Sequence, residues 1–170
     1  MVLIVTILIF YGVIKMLDMR ALCFRKAEIL HLKYLREIAY YSEKYWGFSD
    51  EFMKRFEEKF NITESFLEKY PVYIGMEADI PVCFWGVVPL QDKCELEYFY
   101  VDTKRIGNGY GAVMWKHLIA WCKENDILEI SLVTSSQAVG FYEKMGAWVC
   151  GETLSVIDGR MIPKLLYTLE

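Results

Sequence analysis

Three glycines at alternate positions, Gly107, Gly109 and Gly111, interrupt a largely apolar and aromatic stretch between Cys94 and Cys122. Before them, CELEYFYV reads as a strand ending at Val101, with Glu95 and Glu97 on one face of an otherwise aromatic segment. After them, GAVMWKHLIAWCKEN reads as a helix whose buried stripe is Val113, Met114, Leu118, Trp121 and Cys122. A strand that hands over to a helix across a glycine-rich turn calls for a sheet with helices packed on it. The glycines also carry chemistry. Lacking a Cβ, they allow positive φ and close approach of an anion, and the unpaired amides at a helix start attract phosphate. A tight turn that uses glycine only for its φ angles is the plain rival, and the turn alone does not separate the two.

The flanking sequence supplies the rest of such a fold. Ala21 to Lys26 reads as a short strand, and Leu32, Leu35, Ile38 and Ala39 then recur at helical spacing. Phe52, Phe56 and Phe60 mark a second helix that opens with Ser49 as N-cap and Asp50 and Glu51 in its first turn. Val72 to Met76 and Val82 to Val88 form an antiparallel hairpin across the turn EADIP. Beyond the glycine-turn helix come a buried strand from Ile127 to Val133, and a short helix capped by Ser135 or Ser136 and closed by Gly146. Strands Ala147 to Cys150 and Leu165 to Thr168 flank a final loop that holds Pro163. The order β-α-α-β-β-β-α-β-α-β-β describes an α/β (α+β) mixed sheet covered by helices, and 170 residues, 55% of them hydrophobic, suit one core.

Composition removes several classes of function. With 19 basic against 23 acidic residues the chain lacks the positive field that nonspecific nucleic-acid binding needs, so nucleic acid is not an expected partner. The cysteines, Cys23, Cys83, Cys94, Cys122 and Cys150, are odd in number, scattered and never spaced as CxxC, and the histidines are His31 and His117 alone. Neither a disulfide framework nor a metal site is expected, and a reducing cytoplasm fits. His117 reads as structural and His31 has no evident partner.

A dinucleotide-binding Rossmann turn also follows a strand and opens a helix, but it needs an acid at the far end of the next strand. That end is Val133-Thr134, and Glu129 lies at the strand's beginning. Too little chain follows for the remaining βαβ units. The segment instead resembles the acetyl-CoA binding motif of the GNAT N-acetyltransferase superfamily, R/Q-x-x-G-x-G/A after Y-V-x-P. Aligned from Tyr100-Val101, the motif's glycines fall on Gly109 and Gly111, Ile106 takes the basic or glutamine position, and Thr103 takes the proline. Downstream, SSQAVGFYEKMGA resembles the family's N-x-x-A-x-x-F-Y-x-K-x-G-F, with Ala138, Phe141, Tyr142, Lys144 and Gly146 in register and Ser135 in place of asparagine. The resemblance covers about residues 21 to 170 and is nearest to a poorly characterised bacterial branch.

The resemblance implies a mostly antiparallel sheet of roughly six or seven strands with roughly four helices, and acetyl-CoA as cofactor. It implies direct acetyl transfer to the primary amine of a small molecule or peptide, of unidentified structure. Because Ile106 offers no side-chain donor, the pyrophosphate falls to the backbone amides of Ile106, Gly107, Asn108, Gly109, Tyr110, Gly111 and Ala112, with Lys104, Arg105 or Lys116 as auxiliary cations. Amides of Phe99, Tyr100 and Val101 polarise the thioester carbonyl. Ser135, Phe141 and Lys144 complete the cofactor side. Glu95 or Glu97 takes the ammonium's proton, with the solvent face of a strand as the plain alternative, and Tyr142 protonates the departing thiolate. Trp46-Gly47 stands in the region that sets acceptor choice, or in the core.

Residues 1–18 form an apolar extension before a single domain over 19–170. Val2 to Ile14 carry no charge, yet the segment lacks the basic start and cleavage site of a signal peptide, and it falls short of the about 20 apolar residues of a usual span. A natural start at Met19 that leaves residues 1–18 as an upstream extension, or a packed strand or helix there, is expected over a membrane anchor. A non-catalytic acyl-CoA binding module, tethered or not, is the alternative function, and a homodimer stays open.

Overall fold

The computed structural model describes residues 22–169. Seven strands make one sheet: β1 (Leu22–Lys26), β2 (Val72–Glu77), β3 (Ile80–Leu90), β4 (Lys93–Val101), β5 (Glu129–Val133), β6 (Trp148–Leu154) and β7 (Met161–Thr168). Their order across the sheet is β1-β2-β3-β4-β5-β7-β6. All neighbours are antiparallel except β4 and β5, which run parallel. A parallel pair needs a long crossover, and the helix α4 (Tyr110–Glu124) after the glycine turn supplies it. The other helices are α1 (Leu32–Lys44), α2 (Asp50–Lys59), α3 (Glu64–Lys69) and α5 (Val139–Lys144). The mixed, mostly antiparallel architecture is therefore the one expected, with one helix more.

That extra helix is α3, whose six residues are too few for hydrophobic periodicity to show. A cap starts it: Thr63 Oγ1 accepts from the Phe66 amide at 3.1 Å. The cap expected at Ser49 is also made, with Oγ accepting from the Phe52 amide at 3.2 Å. By contrast α5 begins after Ala138 with no side-chain cap, so neither Ser135 nor Ser136 plays that part.

Each face of the sheet carries a core. Cys83, Trp85 and Val87 of β3 pack with Met114, Trp115 and Leu118 of α4, while Phe84 of the same strand packs with Leu35, Met53 and Phe56 of α1 and α2. Strand alternation sends Phe84 and Trp85 to opposite faces, which is how one strand serves both. The buried face of α4 is rotated from the expected stripe. Trp115 is buried, edge-on to Tyr167 at 5.4 Å, whereas Val113 and Trp121 are only half-buried. β6 and β7 are both longer than their sequence suggests, and Pro163 lies within β7 opposite Glu152. It is tolerated because the β5 ladder ends opposite Lys164; beyond it the Thr134 amide donates to the Pro163 carbonyl at 3.1 Å, a contact that asks no N–H of the proline. Expectations for residues 1–18, and for Ala21 as the first strand residue, fall outside the described residues.

Candidate active site

The parallel strands part company halfway. β4 pairs with β5 from Lys93 to Leu96 and then runs on to Val101 against β3 alone. A bulge marks the departure: Gly86 lies opposite Tyr98 and Val87 opposite Leu96, leaving Glu97 as the extra residue. Bulges bend a strand and re-aim its side chains. The opening leads into a cleft of ≈ 680 Å³ that runs between the glycine turn, α1, α2, α5 and the loop joining β6 to β7.

The ladder decides which β4 amides face that opening. The Asp102 amide donates to the Val82 carbonyl at 2.8 Å, so antiparallel alternation turns the Tyr100 amide toward β3 as well. Phe99 and Val101, in the intervening positions, aim their amides into the gap. Tyr100 thus leaves the expected set of amide donors, while its side chain still lines the cleft.

The turn leaves a run of backbone amides unpartnered among the described residues at the start of α4. Gly107 and Gly109 have φ of 77° and 89°, values that favour glycine, and Gly109 is the N-cap of α4 with no side-chain cap. Among the described residues, the amides of Ile106, Gly107, Gly109, Tyr110, Gly111 and Ala112 have no hydrogen-bond partner. Asn108 departs from the expected set: its amide donates to the Arg105 carbonyl at 3.1 Å, and it does not line the cleft. Tyr110 is buried, its hydroxyl donating to Glu77. Arg105 is an ion-pair member rather than a free cation, with Nε 2.9 Å from Glu77 and Nη1 3.3 Å from Asp102. Gly111 answers to packing: a Cβ there would stand 3.1 Å from the Phe141 ring, so the two sequence motifs meet at this contact.

Tyr142 is 6% exposed, set against Phe99 at 5.9 Å and edge-on to Trp115 at 5.8 Å. Burial first, and then the charge of Glu43, push its phenol well above the usual range, so it keeps its proton. Glu97 and Tyr142 line the same cleft, as do Ser135 and Phe141. Glu95 is exposed and does not, because the bulge separates the two carboxylates that simple alternation places together. Lys144 also points away from the cleft, in the exposed last turn of α5.

Sequence reading missed Glu43 and Arg160, which both line the cleft. Glu43 occupies the last turn of α1, where burial raises its carboxyl to about 7 against the lowering effect of Arg160. Phe52 and Phe56, which belong to the buried core beside α1, also form cleft wall, and Trp46 lines it while 40% exposed. His117 is structural, accepting at Nδ1 from Trp85 Nε1 at 3.0 Å. His31 has the partner its sequence hid, the Glu28 amide at 2.9 Å from Nδ1. Among the described residues no cluster of His, Cys, Asp or Glu suits a metal ion.

No curated protein matches the chain. Solved structures do, over nearly their whole length. PaiA N-acetyltransferase from Thermoplasma acidophilum, in complex with coenzyme A, is 19% identical with a TM-score of 0.69, over 87% of this chain and 99% of that one. The ribosomal-protein-S18-alanine N-acetyltransferase from Escherichia coli is 16% identical with a TM-score of 0.67, over 88% and 94%. Ard1 from Thermoplasma volcanium is 14% identical with a TM-score of 0.67, over 88% and 99%. At such identities the likeness speaks for the fold. The family model described as Acetyltransferase (GNAT) family spans residues 33–147, from α1 through the glycine turn to the end of the FYEKMG helix. By that match over most of its length the chain belongs to the acetyltransferase (GNAT) family, whose cofactor is acetyl-CoA.

Proposed function

We propose that the protein is an N-acetyltransferase that moves the acetyl group of acetyl-CoA directly to the primary amine of a small molecule or peptide. The parting of β4 from β5 carries this reading, since it opens one cleft past the glycine turn, the freed amides of β4 and Tyr142. Unpartnered amides from Ile106 to Ala112, with Asn108 excepted, fit a pyrophosphate at the start of α4. Bound there, acetyl-CoA supplies a thioester whose acyl carbon accepts an amine. The amides of Phe99 and Val101 hold the oxygen on which negative charge grows. Tyr142, protonated at any working pH, donates to the sulfur that leaves. Its phenol is a weaker acid than a thiol, so this donation runs together with return of a proton from the amine nitrogen. The carboxylates lining the cleft, Glu97 and Glu43, are the groups available to the ammonium.

The alternative of a non-catalytic acyl-CoA binder is disfavoured by the convergence of Glu97 and Tyr142 on that cleft. Residues 19–170 act as one acetyltransferase domain in this proposal, and free cysteines throughout support a cytoplasmic setting. No helix among the described residues is long and apolar enough to cross a membrane. Coenzyme A at a hundred times its Kd should stabilise the protein by about 2.7 kcal/mol, read as a rise in Tm. Thiol release from acetyl-CoA with an amine panel tests the transfer. Neither stabilisation nor release with any amine would remove the cofactor and the activity together.

A further inference from the structure

Beyond the cofactor's groups, the far half of the cleft is apolar and sparingly charged. Phe52 and Phe56 of α2 form one wall, Trp46 stands after α1, and Tyr100 meets Phe56 edge-on at 6.3 Å. Among the described residues the charged groups lining this half are Glu43, Glu97 and Arg160, Arg105 belonging to the turn. Arg160 is a fixed cation. Its guanidinium lies 4.7 Å from the Phe48 ring centre and 5.1 Å from that of Phe52, with Asp158 3.4 Å from Nε.

We propose that this half of the cleft takes a primary monoamine carried on an apolar, ring-sized body, and that Glu43 is the carboxylate that receives its ammonium and takes its proton. The proposal rests on the acetyltransferase reading above. A single ammonium matches the one carboxylate that would receive it, Arg160 being already paired with Asp158, and the aromatic walls match an apolar body. A polyamine or aminoglycoside fits badly. Its further ammonium groups would lose water against the aromatic wall of Phe52 and Phe56.

Glu43 is favoured over Glu97 by position. It stands in the last turn of α1, three residues before Trp46 and on the cleft shared with Phe52 and Phe56, and its charge acts on the Tyr142 and Tyr100 phenols. The charge of Glu97 reaches Tyr98 and Tyr100. The ammonium carries three protons to be placed. One passes to Glu43, leaving the nitrogen lone pair free to form the C–N bond to the acetyl carbon. The C–S bond breaks with its electron pair on sulfur, which takes the Tyr142 proton. A second nitrogen proton restores Tyr142, the third stays on the amide, and Glu43 releases its proton to water.

The charged and titratable groups that face Glu43 are Arg160 from the β6–β7 loop, Tyr100 from β4 and Tyr142 from α5. Both phenols stay neutral, so the rate should rise with pH as Glu43 ionises at about 7. The test compares 2-phenylethylamine, tryptamine and spermidine by thiol release, and follows 2-phenylethylamine binding to the coenzyme A complex by calorimetry. The arylalkylamines should exceed spermidine about tenfold or more in kcat/KM. Glu43→Gln should lower kcat on 2-phenylethylamine about a hundredfold. It should also remove the rise through about pH 7 and weaken amine binding, with the Kd of coenzyme A unchanged. Spermidine preferred, or arylalkylamines neither bound nor acetylated by protein that takes up coenzyme A, overturns the substrate class. A Glu43→Gln enzyme with full turnover and an intact pH rise overturns the role of Glu43. Failure of the wild-type protein to bind coenzyme A is a separate result, which overturns the acetyltransferase reading and this proposal with it.

Discussion

Tyr142→Phe is expected to lower kcat by about a hundredfold to a thousandfold while the Kd of coenzyme A stays within about twofold. The substitution removes one oxygen and keeps the ring that packs against Phe99, Trp115 and Phe141. No hydrogen bond to that oxygen is formed among the described residues, and no buried side-chain polar atom there lacks a partner, so the hydroxyl opens on the cleft. Its loss leaves no orphaned group, and stability should change by less than about 1 kcal/mol. Tyr142→Ala is the wrong variant, since emptying a site this buried costs about 3–5 kcal/mol and confounds folding with chemistry. The Phe variant isolates the proton. A hundredfold loss corresponds to about 2.7 kcal/mol of transition-state stabilisation, within reach of one positioned acid. Turnover equal to wild type would take Tyr142 out of the mechanism, and a matching loss of cofactor affinity would make it a binding residue instead.

What was legible in the sequence was local. The glycine turn announced itself because positive φ and bare amides demand glycine at Gly107 and Gly109, and the FYEKMG helix because its residues act within two turns of one another. Strand and helix order followed from periodicity. The half of the cleft proposed for the acceptor was not legible, because its groups come from the end of α1, from α2 and from the loop before β7, and no spacing rule joins Glu43 to Arg160. Phe52 and Phe56 have helical periodicity whether they face core or cleft, so the pattern reads the same in both cases. The bulge at Glu97 hid a further distinction. Strand alternation puts Glu95 and Glu97 on one face, and only the register of β3 against β4 shows that the second turns into the cleft while the first stays in solvent.

Gly109→Val should weaken coenzyme A binding by more than about a hundredfold, whereas Lys104→Ala should weaken it by less than about threefold at physiological salt. At φ 89° and ψ −5° Gly109 sits in left-handed backbone that a β-branched residue adopts only with strain of about 1–3 kcal/mol. The variant relieves that strain by moving the segment that starts α4. The amides of Gly109, Tyr110, Gly111 and Ala112 then lose their common aim. Each charge-assisted hydrogen bond contributes about 1.5–3 kcal/mol, so losing two accounts for the expected change. The body of α4 is anchored by Met114, Trp115 and Leu118 in the core, and circular dichroism should show the helix retained. Lys104 is exposed and contributes only a screened charge. Arg105 is already neutralised by Glu77 and Asp102. If Lys104→Ala loses the cofactor and Gly109→Val keeps it, binding rests on side-chain charge and the backbone cradle is not the pyrophosphate site. If the order is as expected, Ile106 stands where related sequences carry a basic or glutamine side chain because the amides around it hold the anion without one.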